Sequence, residues 1–560
     1  MDGPALSGGD TDFGAIGYLG FVLRFVRFFL LALLISTVVS APARAGTIVA
    51  DSGFRPGTDG FSFANYGADE GYRNLDAFEV QKIYGRAACL TGKGATCVLN
   101  PGVRNWMRST NEAMAGGHCY GFSALTQLIY KNELPRFGYS SISAFGGSSP
   151  FGLNIVGNVR LQRSIARAFT YQLLPSVNAQ ATMGTPKHVL RYLIDHLGDG
   201  SQQSWNLLIF QWGFQAGHAI TPYAIEDMGG GIYEIHVYDN NWPNDDTRRL
   251  VVNTNRNTWS YYASTQPGIP AAEYRGNARS GTLFLRPNTP ALGIQPCPYC
   301  IGRQGSNSKY NQVTLSYTAD QHARLLITDS KGRQTGFKDG KPINRIPGAK
   351  VIRQATSPIT FAADGAIENI ADDPEPVYLI PKNLKLRIRI DGRHMTVTDR
   401  ESLGVVGPTF DSTVENLKMG PGKVAFATLS PKAKTLSITG ARGESSPRVT
   451  FGAQSRKAAY RVKVSAIGAA PQSTFYFAKK PNYGLLRIGK KATGPQAWKV
   501  AINKFDARGN QTRFVRSYVL RGNQIAFLYY GPLAVGKRAY VVIASPNGNK
   551  VKLLKLKRSQ

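Results

Sequence analysis

The stretch AMAGGHCYGFSALTQLIY (113–130) decides how the first half of this chain is read. Cys119 stands after the pair Gly116-Gly117, beside His118 and two residues before Gly121. From it the apolar positions Phe122, Leu125, Ile129 and Tyr130 keep helical spacing. Cys119 therefore opens a helix. A thiol attacks only as the thiolate, and a helix N-terminus with a nearby imidazole brings a cysteine from ~8.5 into the range ~3.5–7.5. The glycines let a substrate backbone approach the sulfur. The Cys119 N–H would then face a carbonyl oxygen as one oxyanion donor. A buried structural cysteine requires none of this setting.

The other four cysteines form two close pairs. Cys89 and Cys97 flank the loop CLTGKGATC, and Cys297 and Cys300 make up CPYC in a Pro/Gly-rich stretch. Two disulfides are expected, the first stabilising the fold by ~2–3 kcal/mol. Cys119 is left as the odd thiol, which calls for an explanation in an exported protein. Zinc at CPYC lacks a second CxxC or paired histidines. A redox role there lacks a βαβ context. The paired cysteines imply an oxidising compartment. Residues 1–45 agree with that: Arg24 and Arg27 precede the apolar run FFLLALLISTVVSA (28–41), and Ala43-Arg44-Ala45 is a small-x-small cleavage pattern. The reading is a signal peptide cleaved after Ala45, with a retained N-terminal anchor as the alternative. The protein is then secreted or associated with a cell envelope, in the bacterial manner.

Beyond Cys119, helices are expected over LDAFEVQKIYG (75–85), VRLQRSIARAFTYQLL (159–174) and TPKHVLRYLIDHL (185–197), the last with Thr185 as cap and Pro186 in its first turn. The pattern then changes to period two. WNLLIFQWG (205–213), HAITPYAIED (218–227) and YEIHVYD (233–239) read as strands. Helices followed by antiparallel strands define an α+β domain. Past residue 311 helical periodicity almost disappears, and short alternating runs such as KLRIRIDG and YRVKVSA recur between turns. That spacing suggests β-sandwich, Ig-like modules. The expected organisation is a multidomain chain: 46–290 as the α+β domain with an N-terminal extension, 291–311 as a linker, and 312–403 and 404–560 as two β modules.

A catalytic base is expected far from the nucleophile in sequence. His118 is adjacent and points elsewhere. His218 begins a strand after Gly217, and Asp239 ends the next one with Asn240 beside it; the 21-residue separation spans two strands and a turn. Cys119 is the candidate nucleophile, His218 the base and acid, and Asp239 or Asn240 the group that orients the imidazole. Trp212 and Tyr223 either line the cleft or fill the core.

GGHCYGFS opening a helix, then GHAITPYAIED, then VYDNNWP, resemble the papain-like cysteine peptidase superfamily, and more closely its uncharacterised secreted bacterial members with a GHCxG motif. The likeness covers about residues 100–260. It implies a papain-like α+β fold and a Cys-His-Asp/Asn triad. NNWP (240–243) is similar to the Asn-Ser-Trp of papain, which favours Asn240, whereas a strand ending at Asp239 is similar to bacteriocin-leader peptidases. The oxyanion glutamine that papain-like enzymes place six residues before the nucleophile is replaced by Ala113, and Asn111 is the nearest amide side chain.

Charge divides the chain. Residues 1–300 hold 23 Lys+Arg against 20 Asp+Glu, and residues 301–560 hold 44 against 15. The basic half is expected to attract an anionic cell-envelope or extracellular polymer rather than nucleic acid. The function implied is a secreted cysteine peptidase or amidase acting on a peptide or protein, without cofactor or metal. Transglutaminase-type acyl transfer uses the same triad. The alternative is a non-catalytic surface-binding or adhesion protein carrying an inert papain-like domain, with Cys119 buried or oxidised.

Overall fold

Four helices with capped N-termini frame the first region. In this computed structural model α1 is Ala77–Tyr84, where Asp76 Oδ1 accepts from Phe78 N and Glu79 N. α2 is Pro101–Ala113, capped by Asn100 with Pro101 at its start. α3 is Cys119–Tyr130. α4 is Val159–Phe169, capped by Asn158, and α5 is Pro186–His196, capped by Thr185. α3 alone among these five has no side chain on its first-turn amides. The structure describes residues 46–559 apart from 69, 215, 265–269, 301–308, 320, 354–373, 408–410, 432–434, 440–447, 455–458, 468–471, 478–484, 491–494 and 507–509. The signal-peptide reading of 1–45 lies outside the described residues.

Seven strands follow in the same region: β1 Trp205–Phe210, β2 Gly217–Gly229, β3 Ile232–Tyr238, β4 Arg249–Asn253, β5 Thr258–Ala263, β6 Ala272–Asn277 and β7 Leu283–Pro287. They lie side by side in the order β6-β5-β4-β3-β2-β1-β7 within an antiparallel sheet. β1 reads WNLLIF without polar alternation beyond Asn206 because both of its faces are covered. Leu208 and Phe210 pack with α3 and α4, while Trp205, Leu207 and Ile209 pack with Val189, Leu190 and Leu193 of α5. The far edge strand β6 comes back near β1 and the Trp212–Phe214 turn, so the sheet curls toward a barrel.

α3 sits against α4 at a glycine. A Cβ on Gly121 would lie 2.2 Å from the Ile165 carbonyl oxygen. Gly121 thus serves helix packing rather than access to substrate. The N-terminal extension is part of this core: the rings of Phe61, Phe63 and Tyr66 each meet Phe122 edge to face, centroids 5.5 Å apart.

The basic half consists of two antiparallel sheets, one of ten and one of eleven strands among the described residues. The expected boundary near residue 403 falls inside the strand Asp399–Val406. That strand pairs with Asp411–Met419, which pairs with Arg448–Gln454, so the sheet runs across the boundary. One core extends from Val313 to Leu556 and contains Leu403. The described strands between 312 and 559 therefore form one continuous sandwich instead of two modules. Alternation reveals strands, but only edge pairing decides where a sheet ends.

The expected linker is anchored. Cys297 and Cys300 form a disulfide packed against the first core, and Gln295 N donates to Ile83 O at 2.7 Å. Helix α2, which hydrophobic periodicity does not pick out, docks the two halves. Asn100 and Gln312 exchange amide hydrogen bonds at 2.8 and 3.2 Å, Asn105 Nδ2 donates to Leu315 O at 2.6 Å, and Arg108 lies 4.1 Å over the Tyr317 ring. Cys89 and Cys97 form the second disulfide. No helix among the described residues is long and apolar enough to cross a membrane.

Candidate active site

The β2–β3 hairpin holds Thr221 opposite Tyr238, and just past the end of β3 Asp239 meets His218. His218 Nε2 and Asp239 Oδ1 are 2.8 Å apart, with both side chains fully buried. Asp239 has two further donors. Tyr261 OH on β5 reaches Oδ2 at 2.6 Å, and Asn241 N reaches Oδ1 at 2.9 Å. Burial works to raise the Asp239 carboxyl, but the His218 charge and these hydrogen bonds hold it below its ordinary value. Asp239 is therefore an anion fixed to one side of the imidazole.

The other ring nitrogen, Nδ1, has no nitrogen or oxygen partner among the described residues. Cys119 lies near enough to the ring to favour its charged form. Burial pulls the His218 pKa down, yet Asp239 and Cys119 together push it up to about 10. The Asp239–His218 pair thus holds a positive charge beside Cys119. Cys119 is free of disulfides and partly exposed, at the uncapped start of α3.

Asn240 points the other way from Asp239. Its Nδ2 donates to Cys119 O at 3.2 Å and to Ala219 O at 2.9 Å. It ties the Cys119 backbone to the strand that carries His218, and takes no part in orienting the ring. Asn111 is also placed elsewhere: its Oδ1 accepts from Leu75 N at 3.1 Å and its Nδ2 donates to Leu75 O at 3.0 Å. That amide secures the chain before α1 and is not an oxyanion donor. His118 has both ring nitrogens engaged, by Tyr66 O at 2.7 Å and Asn74 Oδ1 at 2.8 Å. Burial lowers its pKa to about 4, and with both nitrogens engaged in the fold it is structural. Tyr223 is buried with Phe54 and Tyr238, whereas Trp212 is 65% exposed.

Sequence reading missed Tyr261 and Asn241. Tyr261 arrives through the register of β3, β4 and β5, which no spacing rule reveals, whereas Asn241 N closes a local turn on Asp239 two residues before it. Among the described residues Glu226, Glu234 and His236 place ligand atoms within 4.8 Å of one another. There His236 Nε2 already pairs with Glu226 at 2.9 Å, and Arg249 lies 4.0 Å from Glu234 as a resident cation. Compared with family models, curated proteins and solved structures, the chain matches none.

Proposed function

We propose that the protein is a secreted papain-like cysteine hydrolase, a peptidase or amidase, with Cys119 as nucleophile, His218 as acid and base, and Asp239 as orienter. The observation that carries this is the buried Asp239–His218 pair, its second ring nitrogen left unpaired, beside a disulfide-free, partly exposed thiol at a helix start. In this reading the thiolate attacks an amide carbonyl carbon, and the C–S bond forms as the carbonyl oxygen takes the charge. The imidazolium gives its proton to the leaving amine as the C–N bond breaks. The imidazole then takes a proton from water, whose hydroxide oxygen displaces the thiolate. The Asn240 clamp keeps sulfur and ring in register throughout. A non-catalytic reading would call for a buried or oxidised cysteine, and Cys119 is neither. The basic sandwich would hold the enzyme at an anionic envelope or extracellular polymer.

The test exposes the full chain to a peptide mixture containing a labelled primary amine, with mass spectrometry of the products. New N-termini, absent with Cys119→Ala, support hydrolysis. Incorporated amine would instead reveal acyl transfer. Neither product at any pH from 5 to 9 would refute the proposal.

A further inference from the structure

An acyl transfer at Cys119 needs donors for the oxygen that becomes charged, and Asn111 is committed to Leu75. The uncapped first turn of α3 offers the Cys119 N–H. A second donor is found on β6. Tyr274 is the Cα partner of Tyr261, and residues paired directly across antiparallel strands project from the same face. Tyr261 is the residue whose hydroxyl holds Asp239. The end of β5 and the start of β6 lie at the same end of the sheet as the start of β2 and the end of β3, where His218 and Asp239 stand. Curling of the sheet then brings β6 back toward β1, the neighbour of the His218 strand.

Tyr274 is 1% exposed, and its hydroxyl has no hydrogen-bond partner among the described residues. Its surroundings are those of the site. Burial first, then the negative charges of Cys119 and Asp239, raise its pKa to about 12, so at neutral pH it remains a donor.

We infer that Tyr274 is a catalytic residue of the Cys119 site, its phenol donating a hydrogen bond to the oxyanion formed when the thiolate adds to a carbonyl. This rests on the proposed cysteine-hydrolase reading. The role is specific to reactions that pass through a tetrahedral intermediate. Alkylation by iodoacetamide is a displacement at saturated carbon: the C–S bond forms, iodide leaves, and no oxyanion develops. Acylation by p-nitrophenyl acetate does pass through one: the thiolate adds to the ester carbonyl, then p-nitrophenolate leaves and acetyl-Cys119 remains.

The experiment compares these two rates at Cys119 in the full-length wild type and Tyr274→Phe. The expected result is acylation slowed about 100-fold, in the range for loss of one oxyanion donor, with alkylation unchanged. Thermal melting and near-ultraviolet circular dichroism establish that the variant is folded. Acylation within twofold of wild type would overturn the inference. So would a parallel fall in both rates, which would make Tyr274 a support of the thiolate or the fold. Because the alkylation arm reports the thiolate alone, a wild type inert to both reagents would instead refute the hydrolase reading, and this inference with it.

Discussion

Replacing Asp239 by Asn tests the electrostatics of the site with almost no change of shape. The carboxylate lies 2.8 Å from His218 Nε2, fully buried, and is the largest of the influences that raise the imidazole. The ring is lifted from 6.5 to about 10 in spite of its burial. At 1.36 kcal/mol per pKa unit, that is about 5 kcal/mol in favour of the imidazolium. Without the charge, burial dominates and pushes the ring below its ordinary value. The sulfur then loses the cation beside it. Loss of ~1.4 kcal/mol of that interaction is a tenfold loss in a rate that depends on it. The assay is alkylation of Cys119 by limiting iodoacetamide from pH 5 to 9, followed by peptide mass spectrometry. The expected outcome for Asp239→Asn is a rate at pH 6 at least ~10-fold below wild type, with the profile moved to higher pH. A rate within twofold of wild type at pH 6 would refute the reasoning.

Other perturbations separate structural from chemical roles. Asn240→Ala leaves the carbonyls of Cys119 and Ala219 without their shared donor, so it should cost ~1–3 kcal/mol in denaturant unfolding, slowing alkylation without moving its pH profile. Gly121→Ala forces a Cβ against the Ile165 carbonyl, and it should lower stability by ~3 kcal/mol or more or yield insoluble chain, as solubility and melting would report. Glu401 shows the opposite sign of pH dependence from Asp239. Burial, and then the charges of Asp399 and Glu375, outweigh its Ala323 hydrogen bond and push it up to about 8 from 4.5. The folded chain keeps a proton that the unfolded chain releases, so this group costs stability as pH rises from 4.5 toward 8. Glu401→Gln should therefore raise the melting temperature at pH 8 by several degrees and leave it nearly unchanged at pH 5.

Parts of this architecture were legible in the sequence for identifiable reasons. α5 announces itself through Thr185, Pro186 and an apolar stripe, and all three do in the fold what their chemistry suggests. α2 does not, because the surface it buries is polar. Asn105, Ser109 and Thr110 are buried alongside Val103 and Trp106, and amide hydrogen bonds do the docking. Hydrophobic periodicity is blind to such a face. Asp239 and Asn240 are neighbours at the end of a strand, where successive side chains point oppositely. One reaches the imidazole and the other the nucleophile's backbone, and composition cannot say which. Tyr261 reaches Asp239 through cross-strand register. The sandwich strands were visible by alternation, whereas their union into two long sheets depends on edge pairing across residue 403.

The central claim is that the folded chain activates Cys119 through His218. It is tested most directly by the iodoacetamide rate of Cys119 at pH 6 in the native chain, set against the same cysteine in the urea-unfolded chain with its disulfides intact. The account expects the native thiol to react at least ~10-fold faster, and His218→Ala to abolish that advantage. A native Cys119 that reacts no faster than the unfolded one, or that is indifferent to His218→Ala, would contradict it.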